Sequence, residues 1–298
     1  MGKFVLTLVT VNPKFFAIYS LLTSCNFGYR YYPAVATDIY GRMFFYYNKC
    51  IGFLTAYVVT GTSYVFGSYC CYLLGGALSN LHLNYIARSV YIFNNFSFRR
   101  LIFDYIYVFW GVMAVLYYRF LVVAISCLHQ FLISFAYLQL PVSFCHCDLF
   151  RDNVIFDSTA CYKLIDFHFL SFEKKLYDLV IFINEWCFNG RFIHKRFIYF
   201  IVGYLRSCFI SICEFDCLYI FILFITFRFF VTRLSTKFYG RYIFSNRKIY
   251  GYYYLYSYFY FNRVAIISFF SLLKRYIYVR FYKRLCFCAL KGENQVCF

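Results

Sequence analysis

Acidic side chains are scarce in this sequence: 12 Asp and Glu stand against 30 Lys and Arg in 298 residues, for a formal net charge of +18. That shortage excludes a long acid-lined cleft for polycations. Proline occurs 3 times, too rarely to mark a linker, and charged residues make up 14%, about half the usual share for a globular domain. The 15 cysteines lack a framework. Cys70-Cys71, Cys145-x-Cys147 and Cys286-x-Cys288 do not have the spacing of zinc ligands, and such thiols suit a reducing cytoplasm. The apolar run after Lys3 stops at Asn12-Pro13 with no small-residue cleavage site, which makes it a poor signal peptide. Clean bilayer-length runs are lacking too. The uncharged stretches Cys50–Ala87 and Phe120–Cys147 are long enough to span a membrane, yet they carry Thr55, Thr60, Gly61, Asn80, His82, His129, Gln130 and Pro141.

What the sequence has is aromatic and apolar mass. Hydrophobic residues reach 63%, with 43 Phe and 35 Tyr. Phe, Tyr and Cys share T-rich codons, so a drifting, T-biased genome yields this mix without a bilayer. A multispan membrane protein is the competing reading. The bases are scattered singly or in pairs such as Arg99-Arg100 and Lys174-Lys175, with no nucleic-acid module, so loss of surface acids accounts for the charge. No nucleic-acid partner is expected, and no membrane partner.

The few acids are concentrated. Asp148, Asp152, Asp157, Asp166, Glu173, Asp178 and Glu185 fall within one short region, where uniform scatter would place about one or two. Their order reads His146-Cys147-Asp148-Leu149-Phe150-Arg151-Asp152-Asn153, then Lys163-Leu164-Ile165-Asp166. An Asp followed five positions later by Asn, with a second Asp beyond a short hairpin, is the layout of a kinase catalytic loop and its metal-binding carboxylate. Phosphoryl transfer needs positioning and charge neutralisation, which explains the residue types. One carboxylate orients the acceptor hydroxyl, while an amide oxygen and a second carboxylate hold Mg²⁺, a hard cation. Val154-Ile155-Phe156, a turn at Asp157–Ala160 and a return through Lys163–Ile165 form the expected hairpin, with Asn153 and Asp166 at one end.

The run from Cys147 to Asp157, with Leu164-Ile-Asp-Phe-His-Phe169 and Leu176-Tyr-Asp-Leu-Val-Ile-Phe-Ile-Asn-Glu-Trp-Cys187, resembles homoserine kinases of the aminoglycoside-phosphotransferase-like type. Gly2–Leu8, Ala56–Gly61, Leu74–Leu83, Phe227–Leu234 and Phe281–Phe287 resemble successive elements of that family more weakly. The resemblance implies an α+β, two-lobed protein-kinase-like fold with a reduced β N-lobe and a mainly helical C-lobe. It implies ATP and Mg²⁺ as cofactors, with Asp148 as the catalytic base or hydroxyl-orienting group and Asn153 and Asp166 as metal ligands. His146 and Asp178 would support the loop. Thr7 stands where the family's strand carries a phosphate-binding Lys, and Val58 and Val59 fall at the expected nucleotide hinge. Aligned in this way, the sequence starts at the family's third strand and its first acid is Asp38, so weak MgATP binding is expected. A degraded kinase fold that binds without catalysis is a further alternative.

The expected organisation is a shortened N-lobe over 1–61, a helical C-lobe with the catalytic loop over 62–240, and an insertion with a final helix over 241–298. Strands are expected from Val5 to Val11, Met43 to Tyr47 and Phe53 to Thr60, and a helix from Asn12 through Leu22. Leu74, Leu78 and Leu81 share a helical face, as do Val108, Val112 and Val115. Further helices are expected over 176–188, 193–212 and 217–238. Homoserine presents an ammonium and a carboxylate away from its hydroxyl. Asp152 or Glu185 is the candidate for the ammonium, and Arg233 or Arg228 for the carboxylate, which Arg grips with two hydrogen bonds.

Overall fold

The computed structural model describes residues 3–10, 32–34, 46–47, 50–59, 67–83, 124–156, 162–164, 169, 171–238 and 246–291, with side-chain surroundings over 67–83, 124–154, 164, 169, 173–234 and 250–280. The β-favouring residues near the N-terminus form β1 (Lys3–Thr10). It pairs antiparallel with β4 (Cys50–Val59), Lys3 opposite Val59 and Thr10 opposite Gly52. β2 (Tyr32–Ala34) takes the far side of β4, an edge position that tolerates Pro33, and β3 (Tyr46–Tyr47) pairs with the start of β4. The strand expected from Phe53 therefore begins earlier, at Cys50. The helix expected after Asn12 and the Val108–Val115 face lie outside the described residues.

The chain divides into two units, Met1–Asn95, Ser143–Glu173 and His194–Ser207 in the first, and Phe96–Val142, Lys174–Ile193 and Cys208–Phe298 in the second. The principal described helices are α1 (Ser68–Leu83), α2 (Leu176–Trp186), α3 (His194–Tyr204), α4 (Ile212–Phe238), α5 (Asn246–Phe261) and α6 (Arg263–Lys291). The first unit holds the β1–β4 sheet, α1, α3 and the short strands between 143 and 173.

In the first unit α1 buries Leu74, Leu78 and Leu81 on the expected face. It packs against α3 at backbone distance. A Cβ on Gly75 would overlap the Phe200 carbonyl oxygen, and a Cβ on Gly203 would overlap that of Tyr72. The glycines are thus required by close approach, not by a turn. His82 Nδ1 meets the Tyr204 hydroxyl at 2.7 Å, and the Arg206 guanidinium lies over the Tyr72 ring.

The second unit is built on α4. Phe221, Ile222, Ile225, Phe227, Phe230 and Val231 are buried along it. Each such side chain contributes about 1.5–3 kcal/mol by leaving water. α2 packs on it through Val180, Phe182 and Trp186, with Asn184 donating to Thr226 Oγ1 at 3.1 Å. α4 starts at Ile212, five residues before the expected position, and α3 ends at Tyr204 rather than near 212. The cause is a capping box. Glu214 N donates to Ser211 Oγ at 3.2 Å and Ser211 N donates to Glu214 Oε2 at 2.8 Å. Lys175 holds the other Glu214 oxygen at 3.4 Å. Among the described helices, α4 alone is long and apolar enough to cross a bilayer, and 72% of its most apolar window is buried inside the protein. The expected insertion contains α5 and most of α6.

Alanine at Gly75 or Gly203 would stabilise an isolated helix by about 1 kcal/mol. Here the overlap with backbone is expected to win, lowering stability by about 3 kcal/mol or more. Thermal melts of the two variants check this, and an unchanged or raised midpoint would refute the close packing of α1 and α3.

Candidate active site

The segment that carries the candidate site leaves β5 (Val142–Cys145), which pairs with β8 (Ser171–Lys174). His146 and Cys147 follow, both buried. Cys147 has φ +62°, the sole positive φ on a non-glycine among the described residues. Such a backbone costs about 1–3 kcal/mol and persists only where its surroundings impose it. It turns the chain immediately before Asp148, which is half-buried. The Asp148 amide donates to His146 Nδ1 at 3.3 Å, so that nitrogen is the unprotonated one and Nε2 carries the ring hydrogen.

The loop then closes on itself. Phe150 N donates to Asp148 O at 2.7 Å, and the 3₁₀ turn Arg151–Asn153 returns Asn153 N to Phe150 O at 3.0 Å. Asn153 Nδ2 donates both to Asp148 O and to Asp148 Oδ2, each at 2.8 Å. The five-residue spacing is the reach of this clamp. With the amide nitrogen turned to Asp148, Oδ1 of Asn153 is the oxygen left to face a cation. β6 (Val154–Phe156) and β7 (Tyr162–Leu164) form the expected antiparallel hairpin, Val154 opposite Leu164. Asn153 precedes β6 and Asp166 follows β7, but Asp166 itself and the turn at Asp157–Ala160 lie outside the described residues. Asn153 Oδ1 is a hard oxygen donor of the kind Mg²⁺ prefers, so the one described member of the expected metal pair fits that ion.

Asp152 is exposed on the 3₁₀ turn of the first unit. Glu185, Arg228 and Arg233 belong to the second, as does Asp178, fully buried in the first turn of α2. There the structure brings Glu185 and Arg233 to one residue that sequence reasoning missed. The Tyr252 hydroxyl of α5 donates to Glu185 Oε1 at 2.8 Å, and the Arg233 guanidinium lies 5.9 Å from the centre of the Tyr252 ring. Burial, then the Glu185 carboxylate, raises the Tyr252 pKa far above the ordinary phenol range and keeps the hydroxyl protonated. Arg228 is elsewhere, stacked over Tyr177 and Phe229. In the sheet, Thr7 stands opposite Thr55, Val58 opposite Phe4 and Val59 opposite Lys3.

The solved choline kinase of Streptococcus pneumoniae superposes with a TM-score of 0.61 at 16% identity, covering 84% of this chain and 80% of its own. The aminoglycoside phosphotransferase of Alicyclobacillus acidocaldarius gives 0.58 at 13% identity, covering 92% and 88%. The fold is protein-kinase-like. It is shared with choline kinases and aminoglycoside phosphotransferases, as the resemblance implied, and is mostly helical with a small sheet. A choline/ethanolamine kinase family model matches residues 103–200. The homoserine kinase of Ralstonia pickettii is 39% identical over 66 residues, which are 20% of this chain and 20% of that enzyme. The chain thus matches about one fifth of the length of the curated relatives.

The backbone at Cys147 gives a direct test of the loop. Cys147→Gly removes the steric cost of the left-handed conformation and is expected to leave the melting point level or higher. Cys147→Val adds a β-branched side chain there and is expected to cost about 2 kcal/mol or more. Equal melting points for the two variants would contradict the strained turn.

Proposed function

We propose that this chain transfers the γ-phosphoryl group of ATP to the side-chain hydroxyl of L-homoserine, giving O-phospho-L-homoserine for threonine biosynthesis in the cytoplasm. The observation that carries the reading is the Asp148–Asn153 clamp, a carboxylate held in a kinase-type loop by the nitrogen of the asparagine amide. Asp148 orients the acceptor hydroxyl and accepts its proton as the oxygen attacks phosphorus. Asn153 Oδ1 and the Asp166 carboxylate are the groups that would hold Mg²⁺, which when bound neutralises the phosphate oxygens. His146 holds the Asp148 amide, and Asp178 is assigned a supporting role from its burial and position. Thr7, Val58 and Val59 are assigned to the nucleotide side.

Two acceptor classes compete, because the family model is that of choline and ethanolamine kinases while the curated relatives are homoserine kinases. Choline has no carboxylate and has no use for an arginine. The curated relatives, at 39% and 40% identity over their matched segments, are homoserine kinases, and that favours homoserine.

Asp148→Asn is expected to lower kcat by about 10²–10⁴-fold while leaving nucleotide affinity unchanged. Asp166→Asn is expected instead to raise the Mg²⁺ requirement by about tenfold or more. Steady-state assays against homoserine, choline and an aminoglycoside, titrated with Mg²⁺, check both. Near-normal rates in both variants would refute the site, and preference for choline would refute the substrate. Release of the protein by carbonate washing checks the cytoplasmic assignment, and retention until detergent is added would contradict it.

A further inference from the structure

The geometry points to the outer side of α6 as a docking surface for an anionic membrane, held peripherally; the homoserine reading plays no part in it. α6 turns Ile266, Phe270 and Leu273 into the second unit, and its Lys274 pairs with Asp216 of α4. The Phe270 ring meets Phe192 edge to face, and the Tyr278 hydroxyl donates to Ile210 O at 3.1 Å. That side is covered. The other side carries Val264, Leu272, Tyr276 and Val279, each more than half exposed. Their separations of eight, four and three residues set them along one stripe of the helix. A helix that is apolar on two sides calls for a cover on both.

Charge decides what that cover is. From Cys217 to Gly292 the sequence has no Asp or Glu, while nine Lys and Arg fall between Asn246 and Lys291, of which Lys274 is taken by Asp216. Arg275 lies within the stripe and Arg280 at its border, both exposed, and the Arg280 guanidinium stands 5.0 Å from the centre of the Tyr276 ring. A second copy of the chain would set like charges against each other. A nucleic acid would meet the bases but leave valine and leucine side chains against phosphate and water. An anionic bilayer meets both. The aliphatic side chains enter the boundary between headgroups and acyl chains, the tyrosine sits at the headgroup level, and the bases pair with headgroup anions. The same bases keep α6 from spanning, so carbonate washing would strip the contact. The expectation of no membrane partner rests on the polar residues within Cys50–Ala87 and Phe120–Cys147, which lie outside α6, and it concerns spanning.

Flotation of the full chain with phosphatidylcholine vesicles, with and without about 30% phosphatidylserine, tests this. Binding is expected to be about tenfold or more tighter to the vesicles with phosphatidylserine, and to weaken as salt rises from about 0.1 to 0.5 M. Leu272→Glu combined with Val279→Glu is expected to lower binding about tenfold or more, and Arg275→Gln combined with Arg280→Gln to lower it several-fold with a shallower salt dependence. All four side chains are exposed, so melting points are expected to stay level. Ile133→Glu, at a side chain 65% exposed outside α6, is expected to leave binding unchanged. Equal binding to both kinds of vesicle, or an equal loss in Ile133→Glu, would overturn the inference. So would sedimentation of the wild type as a dimer that Leu272→Glu dissociates, or tighter binding to an oligonucleotide that survives Leu272→Glu. Turnover is read in none of these experiments, so their failure leaves the proposed reaction standing.

Discussion

Asn153 spends its amide nitrogen on Asp148 twice, once on the backbone carbonyl and once on the carboxylate. The rest of the site depends on that clamp. It fixes the rotamer of the carboxylate, sets which face of the asparagine presents oxygen, and closes a five-residue loop that has little regular structure of its own. The loop is not relaxed. Cys147 sits in a left-handed conformation, and the buried ring of His146 takes the Asp148 amide. A strained residue, a buried imidazole and a side-chain clamp fall within eight residues of sequence, His146 to Asn153. Local strain at that density is held by the burial of its neighbours, Ser143, Phe144, Cys145 and Leu149.

The second unit shows how an extreme composition still yields a specific core. α4 reads like a membrane span, yet it is covered by α2, α5 and α6, and its Thr226 is hydrogen-bonded to Asn184. Phe and Tyr fill the seams by edge-to-face and stacked contacts, as in Phe192–Phe269, Phe188–Tyr258 and Phe229–Tyr252. The scarce acids that remain here have defined partners: Glu214 caps α4 and pairs with Lys175, Glu185 accepts from Tyr252, and Asp216 pairs with Lys274.

Much of the candidate site was legible in the sequence because its geometry is local. Asp148 and Asn153 are five residues apart on one loop, so spacing alone picks out the pair, though not the hydrogen bonds between them; five residues separate β6 from β7, so pattern alone carries the hairpin. The signal for the start of α4 was present as Ser211-Ile-Cys-Glu214 and was outweighed by the apolar run beyond it. Cys147 was not legible, because nothing in a cysteine announces a positive φ. Nor was the α1–α3 contact, since Gly75 and Gly203 are 128 positions apart and their need for glycine arises only when two backbones meet.

The sequence by itself determined the kinase-type loop, the order of strands and helices through the catalytic region and the identity of the residues around Asp148, because spacing picks out residues that share one loop. Tertiary structure alone decided that Tyr252, one of 35 tyrosines in a segment with no motif, meets Glu185 across 67 positions and lies under Arg233. It also decided that Arg228, five residues before Arg233, faces other rings. Those outcomes depend on how α2, α4 and α5 pack against one another. Packing is settled by the fit of whole aromatic faces, which no local pattern of residues records.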